Sequence, residues 1–426
     1  MIHTGRTGEL WCAHTCRAGP EVSNLAAMRP SGVPATLAAT LAAALAATVG
    51  LAGCGSPRNA AGGDAGAPVR VGLVYAKSGP LASYGKQYLD GFTAGLDYAT
   101  DGSGKVGGRA VEVTEVDDAG DPAKAVAGGK DLIGKGYRIL AGSTASGVAV
   151  QMSSLAEQNK VLFVSGPAAT DAVTGAGRYT FRSGRQTWQD IRTAAAAVGD
   201  VSGRKVVVFA QDSAFGQANL AAVKAVLGGA GATVEPLLVP ASATDFTPFA
   251  TKARDARPQL LFVAWAGATA QAMWTALDQQ GVFAATTVVT GLDIAATWPA
   301  YGPVSSKISF LAHYFAGAGG TDVEKAMTER VTKAGSTVDL FTGDGFTAAQ
   351  MIVHAAQAGD DADAMVKALE GWRFDGVKGP MTVRPEDHAL LQPMFSARLI
   401  GGATPKAELV KKLDPEAVAP PVAPKK

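Results

Sequence analysis

From residue 69 onward the chain alternates two hydrophobic rhythms. Residues 69–75 form a short β-branched apolar run of the buried-strand kind, and 85–98 then space their apolar residues at helical intervals. The same pairing of strand and helix patterns recurs at 110–116 with 122–133, at 139–141 with 146–158, and at 161–164 leading into Pro167. A parallel sheet covered by helices is the natural product, because strands buried on both faces read as continuous apolar runs and each parallel connection needs a crossover. After Arg182 a second series begins. Strand patterns at 206–209, 233–238 and 260–264 alternate with helical ones at 219–227, 246–253 and 268–279. Helical patterns at 323–334 and 341–358 follow, with a late extended piece at 394–399, and the chain is expected to cross between two α/β lobes more than once.

Upstream lies a different texture. Residues 35–49 are apolar and rich in alanine, too short and too weakly apolar for a membrane span, which needs about 20 strongly apolar residues. Met28-Arg29 supplies a second candidate start and a positive charge ahead of this run, whereas residues 1–27 carry tryptophan, charges and two cysteines and do not look like the head of an export signal. The run ends in Leu51-Ala52-Gly53-Cys54, which resembles a bacterial lipobox. That resemblance implies that Cys54 becomes the first mature residue, carries lipid on its sulfur, and holds the domain at the extracytoplasmic face of the cell membrane. Residues 55–68, rich in Gly and Ala, then read as a flexible tether, and 415–426, rich in Pro, Ala and Lys, as a tail.

Composition narrows the function. Beyond Cys54 about 370 residues remain, more than one hydrophobic core usually organises, in keeping with two lobes. A formal net charge of +1 and an apolar content of 47% give no footprint for nucleic acid and no disordered character. The three cysteines are Cys12, Cys16 and Cys54, so the exported part has no disulfide and no thiolate metal site. Cys12 and Cys16 near His3 and His14 form a loose cluster in the leader, and neither a metal nor a cofactor is expected.

The candidate chemistry sits in turns that follow the strand patterns. These are Lys77-Ser78-Gly79-Pro80 with Tyr84-Gly85, Asp117-Asp118 through Pro122, residues 142–147, and Pro167-Ala168-Ala169-Thr170, where a doubly wound sheet presents its ligand-facing loops. Taken with Asp212, Phe215-Gly216 and Asp245-Phe246, the order and spacing resemble the leucine/isoleucine/valine-type solute receptors of bacterial ABC importers over residues 69–399. The resemblance implies the type I periplasmic-binding-protein fold, two Rossmann-like lobes joined by a multi-strand hinge. It divides the chain into a leader at 1–53, a lipidated tether at 54–68, one lobe of 69–184 with 314–379, a second of 185–313 with 380–402, and a tail at 403–426. The lobe crossings are expected near 183–186, 312–315 and 379–381.

It also implies site residues. Ser146, Ala168 and Thr170 would hold a ligand carboxylate with hydroxyls and backbone N–H groups, a task suited to helix N-termini. Taken alone, Ser146 and Thr170 read first as helix caps; it is the constellation of turns that favours the ligand role. Tyr84, Phe215 and Phe341 match aromatic pocket positions, and Trp265, flanked by Ala264, Ala266 and Gly267, would be a further wall. Where the family places an acidic side chain for the ligand ammonium, this chain reads Thr290-Gly291-Leu292-Asp293, so Asp293 is the candidate one step along. Should Asp293 not serve, a buried ammonium has no countercharge, and aromatic or aliphatic carboxylates are favoured over amino acids. Some relatives have a cysteine pair where this chain has Gly120 and Ala145; both partners are absent together.

The implied activity is capture of an amino acid or related small carboxylate by hinge closure and delivery to an ABC permease, by a monomer that is not an enzyme. A ligand-sensing receptor of the same fold is the alternative. No nucleophile-elbow Gly-x-Ser-x-Gly and no His-Glu-x-x-His occurs, and His313, His354 and His388 sit in no catalytic motif. Gly343-Asp344-Gly345 opens a partial dinucleotide-binding pattern, but no convincing strand precedes it, and it reads as a loosened helix start.

Overall fold

The computed structural model describes residues 66–402 and 404–424; the calls on residues 1–53, on Cys54 and on most of the tether lie outside them. The first sheet comprises β1 (Val69–Tyr75), β2 (Lys105–Val106), β3 (Arg109–Asp117), β4 (Ile139–Gly142), β5 (Leu162–Ser165) and β6 (Thr180–Arg182), in the order β2-β3-β1-β4-β5-β6. Its strands pair in parallel except for the β2–β3 hairpin. Helices α1 (Ala82–Ala99), α2 (Pro122–Gly134) and α3 (Ser146–Asn159) make the crossovers. Strand side chains alternate between faces. Leu73, Ala141 and Val164 therefore enter one core with Tyr88 and Phe92 of α1, while Val74, Leu140 and Phe163 enter another with Leu132 of α2 and Met152 of α3. Both faces are covered, which is why these strands read as unbroken apolar runs.

The chain leaves the first sheet at residues 183–186 and enters α4 (Thr187–Val198), then builds β7 (Lys205–Asp212), α5 (Ala214–Val223), β8 (Thr233–Pro240), α6 (Thr247–Asp255), β9 (Leu260–Ala264), α7 (Ala270–Gln279), β10 (Thr287–Gly291) and β11 (Ile308–Ala312). It then returns to the first lobe through α8 (Asp322–Lys333), α9 (Thr342–Ala356) and α10 (Ala362–Leu369), whose Met327, Phe346 and Met365 join the core of Leu73. A small antiparallel sheet follows, of β12 (Arg373–Gly376), β13 (Gly379–Val383) and β14 (Leu390–Leu391). Met381, Val383 and Leu390 belong to that same first core, so the last crossing lies at residues 392 and 393, further along than the expected 379–381. Strands β15 (Met394–Ile400) and β16 (Lys406–Leu413) then complete a second sheet in the order β16-β15-β11-β10-β9-β7-β8, parallel from β8 to β11 and antiparallel at β15 and β16. Two α/β lobes joined by three crossings result, the architecture expected from the sequence.

The C-terminal residues differ from the expected tail. Strand β16 pairs along β15, Val418 is fully buried, and Arg384 donates to the carbonyls of Pro420 and Pro421. An edge strand such as Lys406–Leu413 shows mostly polar side chains to solvent, so its composition conceals the pairing. Helices α1 and α9 pack so closely that a Cβ at Gly91 would strike the Thr342 carbonyl and one at Gly345 the Tyr88 carbonyl. Gly345 of the Gly343-Asp344-Gly345 run therefore belongs to helix packing, and Gly343 faces Val377 and Tyr314. Among the described residues no helix is long and apolar enough to cross a membrane, and no group of three or more His, Cys, Asp or Glu is placed to hold a metal.

Candidate functional site

Loops after β1, β4 and β5 of one lobe and after β7, β9, β10 and β11 of the other enclose a cavity of about 520 Å³. Two of the resembling turns shape its first-lobe rim. The carboxylate of Asp117 at the end of β3 accepts from the N–H groups of Lys77, Ser78 and Ala119 and from the Ser78 hydroxyl, which hold it down near pKa 2. Ser78 and Asp117 thus fold the loop that carries Pro80 and Leu81 to the cavity. Beyond β4, Gly142 takes φ +114°, and a Cβ there would collide with the Val74 carbonyl. This close approach turns the chain so that α3 opens into the cavity, where Ser146 and Gly147 line it. The N-cap residue of α3, Ala145, makes no side-chain cap, so the first-turn N–H groups of this helix have no such partner.

Of the residues expected from sequence, Tyr84, Ser146, Phe215, Trp265, Asp293 and Phe341 all line this cavity. Ala168 and Thr170 do not; Ala169 between them does. The physical reason is Arg182, fully buried, whose guanidinium takes the carbonyls of Ala168 and Thr170 and turns that stretch away from the cavity. Thr170 spends its hydroxyl on the N–H of Ala172, the capping role that the residue type alone suggests. The Ala169 carbonyl is held by Thr187, and its N–H donates to no group among the described residues.

The aromatic wall spans both lobes. Tyr84 and Phe341 rings lie 4.6 Å apart, and the Trp265 ring stacks on Phe209 at 5.7 Å and meets Phe246 edge-on at 5.2 Å, with its indole N–H donating to Thr269. Tyr84, Ile294, Leu340 and Phe341 form a small apolar cluster where the lobes touch. Across it the Tyr84 hydroxyl donates to Asp293 Oδ1 at 2.6 Å and accepts the Gly267 N–H at 2.9 Å. Asp339 of the first lobe accepts the Ala295 N–H of the second. These contacts join the two lobes at the cavity rim.

Asp293 is heavily engaged. Its carboxylate accepts from Tyr84, from the Ile294 N–H at 2.8 Å and from the Thr297 side chain; burial pushes its pKa up and these bonds hold it back. Sequence reasoning missed Arg185, a buried cavity residue whose Nε donates to Asp190 at 3.2 Å and whose Nη1 donates to the Pro167 carbonyl at 2.6 Å. Its guanidinium lies 5.8 Å from the centre of the Phe341 ring. Two arginines in the short stretch identified as a lobe crossing, Arg182 and Arg185, were the available signal. His313, on the second crossing, also lines the cavity; burial first, then Arg185 and Lys378, push its pKa far down, so it is neutral.

Comparison with known proteins agrees with this geometry. A family model for periplasmic binding proteins matches residues 68–403. A Leu/Ile/Val-binding protein homolog 6 of Brucella melitensis is 27% identical over 344 residues, covering 77% of this chain and 86% of that protein. A crystal structure of an ABC-type branched-chain amino acid transporter from Rhodopseudomonas palustris superposes with a TM-score of 0.70 at 31% identity, covering 84% of this chain and all of that one. The fold is shared with a solute-binding protein of R. palustris solved in complex with 4-hydroxybenzoate, at TM-score 0.75 and 22% identity over 82% of this chain and 97% of that one.

Proposed function

Because this chain belongs to the periplasmic binding protein family, we propose that it is the extracytoplasmic solute-binding component of an ABC importer, capturing an amino acid or a related small carboxylate between its lobes. Its relatives are solute-binding proteins and not enzymes, and no bond is made or broken in this reading. The observation that carries it is the cavity between two lobes, lined by Ser146, Gly147 and Ala169 on one side and by the rings of Tyr84, Phe215, Trp265 and Phe341 around the rest. Donors at an uncapped helix start favour an anion, and rings favour an apolar body.

Capture proceeds by closure. Three crossings let the lobes part, the first lobe takes the carboxylate, and the second closes until Tyr84 meets Asp293 and Gly267. The closed surface is then what a membrane permease reads, with the domain acting as a monomer tethered through a lipid on Cys54. Thermal-shift screening of the purified protein against amino acids, aromatic acids, amides and short-chain carboxylates tests the reading. A ligand at 100 times its Kd adds about 2.7 kcal/mol of stability, a shift of several degrees. Absence of any shift across all four classes overturns the proposal.

A further inference from the structure

Resting on that reading of the cavity, we propose that Arg185 is the cationic anchor of the ligand carboxylate, and that the site selects acids without an α-ammonium group. The argument is an account of charge. The ionisable side chains lining the cavity are Arg185, Asp190, Asp293, His313 and Tyr84, the last held as its neutral phenol by burial. His313 is neutral. Asp293 already accepts from Tyr84 across the lobes and from its own neighbours Ile294 and Thr297, three of the about four acceptor positions of a carboxylate. Asp190 gives Oδ2 to Arg185, and its Oδ1 is sealed from the cavity surface with no partner among the described residues. Asp293 therefore has little acceptor capacity left for a ligand ammonium, and Asp190 presents none.

Arg185 is different. A guanidinium carries five N–H donors in a planar fork, and this one uses only Nε and Nη1 on protein acceptors. Its Nη2 makes no hydrogen bond among the described residues and is not sealed off as Asp190 Oδ1 is. The Asp190 contact and the Pro167 carbonyl fix the plane of the fork, and the Phe341 ring lies beside it. Pro167, whose carbonyl anchors the fork, belongs to the same loop as Ala169, and Ala169 and Arg185 both line the cavity. A fixed, buried fork with an unused edge suits a carboxylate. An ammonium bound beside it would meet a like charge and no countercharge, at the cost of burying an unpaired ion.

The test is isothermal titration of the full protein with matched pairs: 4-methylpentanoate against L-leucine, and 3-phenylpropanoate against L-phenylalanine, with benzoate and 4-hydroxybenzoate alongside. At least one des-amino acid is expected to bind, and each that binds should do so about 100-fold or more tightly than its amino acid, from the penalty on an unpaired ammonium. Arg185→Lys, which keeps the charge but loses the fork, should weaken the bound acid about 10-fold or more while circular dichroism shows the fold retained. Should Arg185→Lys fail to fold, the wild-type pairs decide alone. Tighter binding of the amino acids overturns the inference and leaves the solute-binding reading standing. Binding of neither class overturns the inference, and the thermal screen across all four ligand classes decides the solute-binding reading separately.

Discussion

Replacing Tyr84 by Phe isolates closure from cavity shape. The ring, its packing on Phe341 at 4.6 Å and the volume of the cavity are kept, and only a hydroxyl that joins the lobes is removed. That hydroxyl donates to a carboxylate at 2.6 Å and receives an N–H at 2.9 Å. Burial, together with Asp293, raises the Tyr84 pKa far above its ordinary value, so the donor is present throughout the working pH range. With the lobes apart, all three groups meet water, so the loss falls on the closed state alone. A hydrogen bond to a charged group contributes about 1.5–3 kcal/mol, and every 1.4 kcal/mol is a factor of ten. Ligand affinity should therefore fall about 10- to 100-fold, read by calorimetric titration with the best ligand from the thermal screen. Small-angle scattering at a fixed sub-saturating ligand concentration should show a larger radius of gyration for Tyr84→Phe than for wild type. Affinity within twofold of wild type would refute the latch. A loss of unliganded stability as large as the loss of binding energy would do the same, by moving the contact into the general packing of the fold.

Two further changes separate binding from stability. Ser146→Ala should weaken carboxylate binding several-fold with little change in melting point, because Ser146 lines the cavity, whereas Thr170→Ala should lower stability by about 1 kcal/mol through its lost cap and leave the Kd in place; a reversed pattern in paired melting and titration experiments contradicts the placement. Asp118 is fully buried beside the cavity loop, and burial pushes its pKa up from 3.8 to about 6. A raised carboxyl pKa contributes stability that is fully present below about pH 4 and lost as pH rises through 6, leaving an ionised group that costs up to about 3 kcal/mol at neutral pH. Asp118→Asn should accordingly raise the melting temperature at pH 7.5 and converge with wild type near pH 4; parallel curves at all pH values would show that Asp118 does not titrate there.

The parts of the fold legible in the sequence are those whose two faces are both buried. Val69–Tyr75, Ile139–Gly142 and Leu162–Ser165 are apolar apart from the exposed Arg70 and the terminal Ser165 because each lies between two helical layers, and each was found within two residues at either end. Strand β16 escaped because an edge strand needs little apolar surface, and α4 because its Thr187–Val198 stretch offers few large apolar residues among its alanines. The third crossing was misplaced by about a dozen residues, because β12 to β14 pair only with each other and their allegiance to the first lobe is decided by the packing of Met381, Val383 and Leu390.

The site was legible to the extent that it is made of loops following strands. Tyr84, Ser146, Phe215 and Trp265 follow strand ends, and the rule that ligands meet the carboxyl ends of parallel strands brings such residues to one cavity. Charge obeyed no such rule. Asp293 stands between Leu292 and Ile294 and Arg185 follows Arg182 by three residues, and their roles turn on which groups already occupy them. Three bonds occupy Asp293, and two anchor Arg185 while leaving an edge of its fork unused. Hydrogen-bond capacity is a sum over neighbours from distant parts of the chain: Tyr84 lies 209 positions from Asp293, and Pro167 lies 18 from Arg185. Sequence spacing ranks candidates by chemistry, whereas only the folded neighbourhood shows which candidate has a bond left to give. On the proposed reading, ligand selection in this cavity follows the residual capacity of its ionisable groups, to which Arg185 contributes an unused edge.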